Sequence, residues 1–257
     1  MNSINKIDNL FKEKKENILS IFFTAGFPKL DDTTRIILEL QNSGVDMIEV
    51  GFPFSDPLAD GPIIQNSGQV ALDNGMTLKL VFEQLNSIKE QVNIPLILMG
   101  YINPVMQMGV DTFLENCVQS GVSGVILPDV PLELWENEWS AKFDAIDIYP
   151  ILLITPQTSD ERAKRIDNIS KGFVYLVASS GTTGRQHDNT EKSQLYFKRI
   201  KNLGLKNPLI AGFGIHNKAS FNQACSHTNG AIIGSAFVKK MGDSGLDNIY
   251  NFVQTLK

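Results

Sequence analysis

The sequence predicts an α/β chain folded as one (β/α)8 TIM barrel with an extra N-terminal helix, and three observations carry that prediction. Eight short apolar runs alternate with longer amphipathic segments from end to end. The apolar runs are dense in Ile, Leu and Val without polar alternation, as expected of parallel strands covered on both faces. The length, 257 residues, is one that such barrels commonly use as a single domain, about 250 residues being usual. The competing doubly wound sheet would be expected to show G-x-G-x-x-G after its first strand, and the sequence has none there.

The elements follow in order. Ile4, Ile7, Leu10 and Phe11 recur at helical spacing, which predicts an amphipathic helix packed on the barrel. Strands are expected at 19–26, 47–51, 95–100 and 124–129, then at 148–155, 172–179, 208–214 and 230–236. Helices are expected between them, at 31–43, 77–91, 110–120, 132–143, 158–169, 190–203, 217–226 and 246–256. Gly44, Gly121 and Gly230 each stand just before a strand, where helix C-caps place glycine. Trp135, Trp139 and Leu132 share one side of a helix and read as core or an interface patch. No linker, low-complexity stretch or composition shift interrupts the chain, so residues 1–257 are read as one domain.

Composition narrows the function. The chain is 42% hydrophobic and 20% charged, with a net charge of −5, which argues against an electrostatic nucleic-acid binder. No apolar run approaches the roughly 18 residues that span a bilayer, and the first residues lack the apolar core of a signal peptide. A cytoplasmic protein is expected. Cys117 and Cys225 have no metal-ligand spacing and read as free thiols. His187, His216 and His227 likewise stand at no metal-binding spacing and read as structural or solvated. No metal site, P-loop, nucleophile elbow or dinucleotide fingerprint is present in the sequence.

A barrel places its chemistry at the carboxyl ends of strands and in the loops beyond them. Glu49 lies there, on the same strand face as Met47. Burial at a barrel mouth would push its pKa upward, toward a group that gives and takes a proton near neutrality. The alternative is a structural carboxylate satisfied by neighbouring hydroxyls or amides. Asp56 and Asp60 follow in a loop stiffened by Pro53, Pro57 and Pro62, and spacing does not decide which of the two faces the mouth. Glycine segments after strands six, seven and eight ("SSGTTG", "GFGI", "GSA") fit a phosphate site, with the Ser235 hydroxyl as a further donor. The polar stretch 179–190 reads as a lid or a plain mobile loop, with Thr183 the natural hydroxyl to meet a carboxylate on closure.

Together these residues resemble the tryptophan synthase alpha chain family. "IEVGFPFSDPLADG" matches its signature throughout, and "FTAGFP", "GYINP", "LPDVP", "GTTG", "GFGI" and "GSA" follow in the family's order. The resemblance implies retro-aldol cleavage of indole-3-glycerol phosphate to indole and glyceraldehyde 3-phosphate, with no metal or organic cofactor in this chain. It implies that Glu49 is the acid–base and that Asp60 steadies charge developing on the indole N–H. Phe22, Ile64, Leu127 and Tyr175 would line the indole slot. Gly184, Gly214, Gly234 and Ser235 would hold the phosphate, and Thr183 would orient Asp60. The expected partner is a PLP-containing beta chain in an α2β2 tetramer, facing Pro53, Asp56, Asn103 and Pro104. Thr182 before the lid threonine, and the polar "RQHDNT" after it, depart from many members.

Three rival readings remain at this stage. One is another phosphate-binding barrel enzyme, which need not share the Glu49–Asp60 pair. Another is a catalytically idle partner chain, which would be expected to have lost an acid. The third is a stand-alone lyase that releases free indole.

Overall fold

A computed structural model of the chain describes residues 5–177 and 188–257. Eight strands form in the order read from the sequence. They are β1 (Ile18–Thr24), β2 (Met47–Gly51), β3 (Leu96–Met99) and β4 (Gly124–Ile126), then β5, in two segments, Tyr149–Pro150 and Leu153–Ile154. β6 (Val174–Val177), β7 (Leu209–Gly212) and β8 (Gly230–Ile233) complete the set. All pair in parallel with their sequence neighbours, and β8 returns to β1 in the register Ile18↔Gly230 through Ile21↔Ile233. β5 closes the ring, its first segment pairing with β4 and its second with β6. Between the segments, Ile151 N–H donates to Val125 O, and Leu152 O accepts from Tyr175 N–H. Pro150 has no N–H to offer the β6 side, so the ladder there begins beyond it.

Side chains alternate as strand geometry requires. Ile18, Met47, Ile97, Ile126, Tyr149, Phe173 and Ile210 fill the barrel interior. Ile21, Phe23, Ile48, Val50, Leu98 and Val125 face outward onto the helices, meeting Ile36, Leu40, Val81 and Phe113. The N-terminal helix, Lys6–Glu13, seats Ile7 and Phe11 against the interior cluster and so closes the amino-terminal end of the barrel. Asn5 fixes its start: the side chain accepts from Ile7 N–H (2.9 Å) and donates to Ser123 O and Asp147 O. Trp135 and Trp139 are core residues, edge to face at 5.3 Å, with Phe143 packed on Trp135 at 4.9 Å.

Three helices form that the periodicity does not predict: Pro62–Asp73, Ile102–Met108 and Ser235–Ser244. Proline disguises the first two in sequence. Pro62 occupies the first helical position and Pro104 the first turn, where a missing N–H costs nothing. Gly44 and Gly121 do terminate helices, with φ of +80° and +70°. Gly230 does not. It is the first residue of β8, where a Cβ would stand 2.3 Å from Ile18 O, so close strand packing demands the glycine. Cys117 is a buried free thiol and Cys225 a half-buried one. No helix among the described residues is long and apolar enough to cross a membrane.

Candidate active site

The strands end sooner than their apolar runs. β4, β7 and β8 stop at Ile126, Gly212 and Ile233, and the remaining residues turn into the loops around the barrel mouth. A cavity of ≈ 180 Å³ opens there. Phe22, Ile64, Met99, Tyr175 and Ile232 give it an apolar wall, while Asp60 is its carboxylate. Phe213, Gly214, His216, Gly234 and Ser235 also line it.

Glu49 is wholly buried, beside Phe22 in the sheet register and therefore next to the cavity wall without forming part of it. Oε1 accepts a hydrogen bond from Ser20 Oγ (3.2 Å), and Oε2 has no partner among the described residues. Burial pushes its carboxyl up to about 8, against the opposing effect of the Ser20 hydrogen bond. Asp167, the other buried acid among the described residues, shows what a structural carboxylate looks like here. It accepts from Lys206 N–H (2.8 Å), Asn207 N–H (3.0 Å) and Asn207 Nδ2 (2.8 Å), so both oxygens are satisfied. Glu49 lacks that saturation.

Asp60 lies on the cavity wall, whereas Asp56 is exposed, its carboxylate accepting from its neighbour, the Ser55 hydroxyl. The proline-framed loop is pinned by Tyr101. Its hydroxyl donates to Asp60 Oδ2 (2.9 Å) and accepts from Ala59 N–H (3.1 Å). Gln65 Nε2 adds a bond to Asp60 O (2.9 Å) from the helix that Pro62 begins. Burial raises the Asp60 carboxyl and the Tyr101 hydrogen bond lowers it. Burial, and after it the charges of Glu49 and Asp60, hold the Tyr175 hydroxyl well above its ordinary range, so this ring stands beside both acids as a protonated group.

The glycine loops after β7 and β8 meet here. Gly214 and Gly234 both border the cavity, and Gly234 is the N-cap of the helix Ser235–Ser244 without a side-chain cap, so that helix start faces the opening. Phe213, between two glycines, takes φ +67°, a conformation that bulky residues rarely adopt, and meets Tyr175 edge-on at 6.0 Å. Gly212 leaves room for Tyr175: a Cβ there would stand 1.9 Å from its hydroxyl oxygen.

Of the residues singled out in sequence, Phe22, Asp60, Ile64, Tyr175, Gly214, Gly234 and Ser235 come together at this cavity. Leu127 does not line it: the residue is buried in the outer cluster between sheet and helices, because β4 ends at Ile126 and the next side chain faces outward. Thr183 and Gly184, with the rest of 178–187, lie outside the described residues. Pro53 borders a smaller neighbouring cleft with Phe54 and Tyr101, and Asn103 and half-buried Pro104 sit in the helix Ile102–Met108. Sequence reasoning missed Ser20, Met99, Tyr101, Phe213 and Ile232 and set His216 aside. Period-two alternation carried through β1, β3 and β8 would have found Ser20, Met99 and Ile232. Among the described residues, no cluster of three or more His, Cys, Asp or Glu could hold a metal ion.

Comparison with known proteins agrees in sequence and in shape. The family model described as "Tryptophan synthase alpha chain" matches residues 9–257. The tryptophan synthase alpha chain of Flavobacterium johnsoniae is 50% identical over 254 residues, covering 99% of this chain and 100% of that one. That of Bacteroides thetaiotaomicron is 51% identical over 235 residues, 91% of this chain and 92% of the relative. Among solved structures, the tryptophan synthase A-subunit of Pyrococcus furiosus superposes with a TM-score of 0.86 at 33% identity, covering 95% of this chain and 98% of that one. The Mycobacterium tuberculosis tryptophan synthase in its aminoacrylate-bound form gives 0.86 at 26% identity, with 98% of each chain covered.

Proposed function

The chain belongs to the tryptophan synthase alpha chain family, and from that premise we propose how its residues carry the reaction. The activity is a carbon–carbon lyase step of tryptophan biosynthesis: indole-3-glycerol phosphate is cleaved to indole and glyceraldehyde 3-phosphate, with a beta chain as partner.

Glu49 acts as acid and base. Cleavage requires a proton to arrive at indole C3 and another to leave the glycerol hydroxyl beside it, so that the C–C electrons pass to C3 as the carbonyl forms. One carboxyl that titrates near neutrality serves both transfers. The observation that carries this reading is the unsatisfied oxygen of Glu49, buried beside the cavity wall with its carboxyl raised to about 8. Protonation of C3 leaves positive charge on the indole nitrogen, and Asp60 is the carboxylate to accept that N–H. Tyr101 holds it in place.

Phe22, Ile64 and Tyr175 form the apolar slot for the indole ring, with Met99 and Ile232 beside them. Gly214, Gly234 and Ser235, with Gly184, hold the phosphate by backbone N–H groups, the Ser235 hydroxyl and the start of the helix Ser235–Ser244. Thr183 orients Asp60. Pro53, Asp56, Asn103 and Pro104 face the beta chain in an α2β2 tetramer. The chain works as one domain, residues 1–257, in the cytoplasm. Its own acid–base chemistry asks for no cofactor, and PLP is expected only in the beta partner.

The test is indole release from indole-3-glycerol phosphate by the purified chain, alone and with a beta chain added. Slow release that rises sharply with the beta chain supports the partnered enzyme. Fast release indifferent to it points to a stand-alone lyase, and no release in either case overturns the assignment.

A further inference from the structure

We propose that Ser20 is the positioning residue for Glu49: its hydroxyl, buried in the barrel interior, keeps the carboxyl ionisable and holds one of its oxygens in place. The proposal rests on the reading of Glu49 as acid–base and goes beyond it by naming the group that tunes it.

Ser20 occupies an inward position of β1, in register with Met47 on one side and Ile232 on the other. Both flanking residues are apolar and buried, and Ser20 itself is fully buried. A hydroxyl at such a place loses its hydration and must find a partner to compensate. It finds Glu49 Oε1 at 3.2 Å. Among the described residues Oε2 has no donor, and the Ser20 hydroxyl is the donor to Oε1. The remaining elements around the carboxyl offer little. β3 contributes Ile97 and Met99, which do not titrate. β6 contributes the Tyr175 hydroxyl, which burial and the charges of Glu49 and Asp60 hold protonated, and the loop after β2 contributes Asp60. Ser20 is therefore the one described neighbour whose hydrogen bond favours the ionised form, in agreement with its lowering effect on a carboxyl that burial raises.

The role follows from that asymmetry. The base step needs ionised Glu49, and burial makes that form scarce at neutral pH. A hydrogen bond to a charged group is worth more than one to a neutral group, so the Ser20 hydroxyl selectively stabilises the ionised state. Removing it should move the acidic limb of the rate profile upward without altering how the indole slot or the phosphate loops bind substrate.

The experiment is the pH dependence of kcat and KM for indole-3-glycerol phosphate cleavage, with the beta chain present, in the parent and in Ser20→Ala, Ser20→Thr and Glu49→Gln. For Ser20→Ala the acidic limb of kcat should move up by about one pH unit, with kcat at pH 7 down about tenfold and KM within about twofold. Ser20→Thr, which keeps the hydroxyl, should return the limb toward its original position. A limb that stays in place in Ser20→Ala, however far kcat falls, overturns the proposal, because a purely structural loss would lower the whole profile evenly. Glu49→Gln separates the two layers: turnover retained in that variant would remove the acid–base reading itself. A second readout needs no activity. Ser20→Ala should carry the loss of folding stability with rising pH about one pH unit further up in the Glu49 chain and leave the profile unchanged in the Glu49→Gln background. A loss that ends at the same pH with and without the Ser20 hydroxyl would again overturn the proposal.

Discussion

Replacing Glu49 by glutamine should stabilise the fold at alkaline pH while removing the lyase activity, and the size of the gain follows from the burial of the carboxyl. In the unfolded chain the group titrates at the ordinary 4.5, and in the folded chain at about 8. Between those values the folded protein holds a proton that the unfolded chain has lost. Raising the pH through this window therefore favours unfolding: the parent is at full stability below 4.5 and loses this contribution progressively until the pH exceeds about 8. Each pH unit of that window is worth 1.36 kcal/mol, so the whole is worth about 5 kcal/mol for a group with no exposure to water. The glutamine has no proton to lose and is matched in shape, and its carbonyl oxygen can still accept from Ser20. Asp60, Asp129 and Asp147 are also raised by burial, but they are common to both chains and cancel in the difference. The assay is urea unfolding followed by circular dichroism at pH 5, 6.5 and 8.5. The variant should gain on the parent by several kcal/mol from the first pH to the last. A difference between the two chains that stays constant across that range would refute the claim that Glu49 is buried protonated.

Three further outcomes are expected. Tyr101→Phe removes the donor to Asp60 and the acceptor for Ala59 N–H, so kcat/KM should fall about tenfold, a loss of the order of one hydrogen bond to a charged group; unchanged steady-state kinetics would separate Tyr101 from the chemistry. Gly234→Asp sets a carboxylate at the cavity edge beside the start of the helix Ser235–Ser244, and like-charge repulsion should raise KM about tenfold or more; an unaltered KM would move the phosphate elsewhere. Ile7→Ala empties a fully buried site at the closed end of the barrel and should cost about 2–5 kcal/mol in chemical denaturation, with kcat little changed; a cost below about 1 kcal/mol would show that the N-terminal helix does not seal the core.

Much of this architecture was legible because local and global signals agree. Each strand is an apolar run, and Gly44 and Gly121 mark helix ends by conformations the structure adopts. Legibility fails where one residue type serves two purposes. Pro62 reads as a loop stiffener, yet it opens a helix, and Pro104 likewise sits in a helical first turn. Gly230 reads as a cap, yet it is needed for the approach of Ile18 O. At the site, Glu49 and Asp60 were visible as charged residues in unusual places. Ser20, Met99 and Ile232 were not, since none of them is charged and only alternation carried along each strand picks out the inward face. Tyr101 was missed because only the fold brings its hydroxyl to Asp60. Leu127 fails because alternation from inward-facing Ile126 sends it outward, into the layer between sheet and helices.

The two ends of the barrel explain how the protein tolerates a half-satisfied acid in its interior. At the amino-terminal end, Ile7 and Phe11 join Ile18 and Phe173 in one apolar cluster. At the carboxyl end the interior gives way to a cavity of ≈ 180 Å³ whose wall includes Asp60 and open helix and loop ends. Glu49 and Ser20 belong to the layer between. Two residues nearer the sealed end, on the same face, a carboxyl with a single donor would meet hydrocarbon, and its protonated form would persist well past neutral pH. Two residues nearer the mouth, water would reach the carboxyl and return it toward 4.5, too acidic to hold a proton for transfer at neutral pH. The useful pKa exists only at that intermediate depth. The strand register, Phe22 against Glu49 and Ser20 against Met47, is what fixes it there. A one-residue slip of β2 would send Glu49 into the helix layer, where Ile48 and Val50 now pack, so fold specificity and catalytic tuning are set by the same pairing.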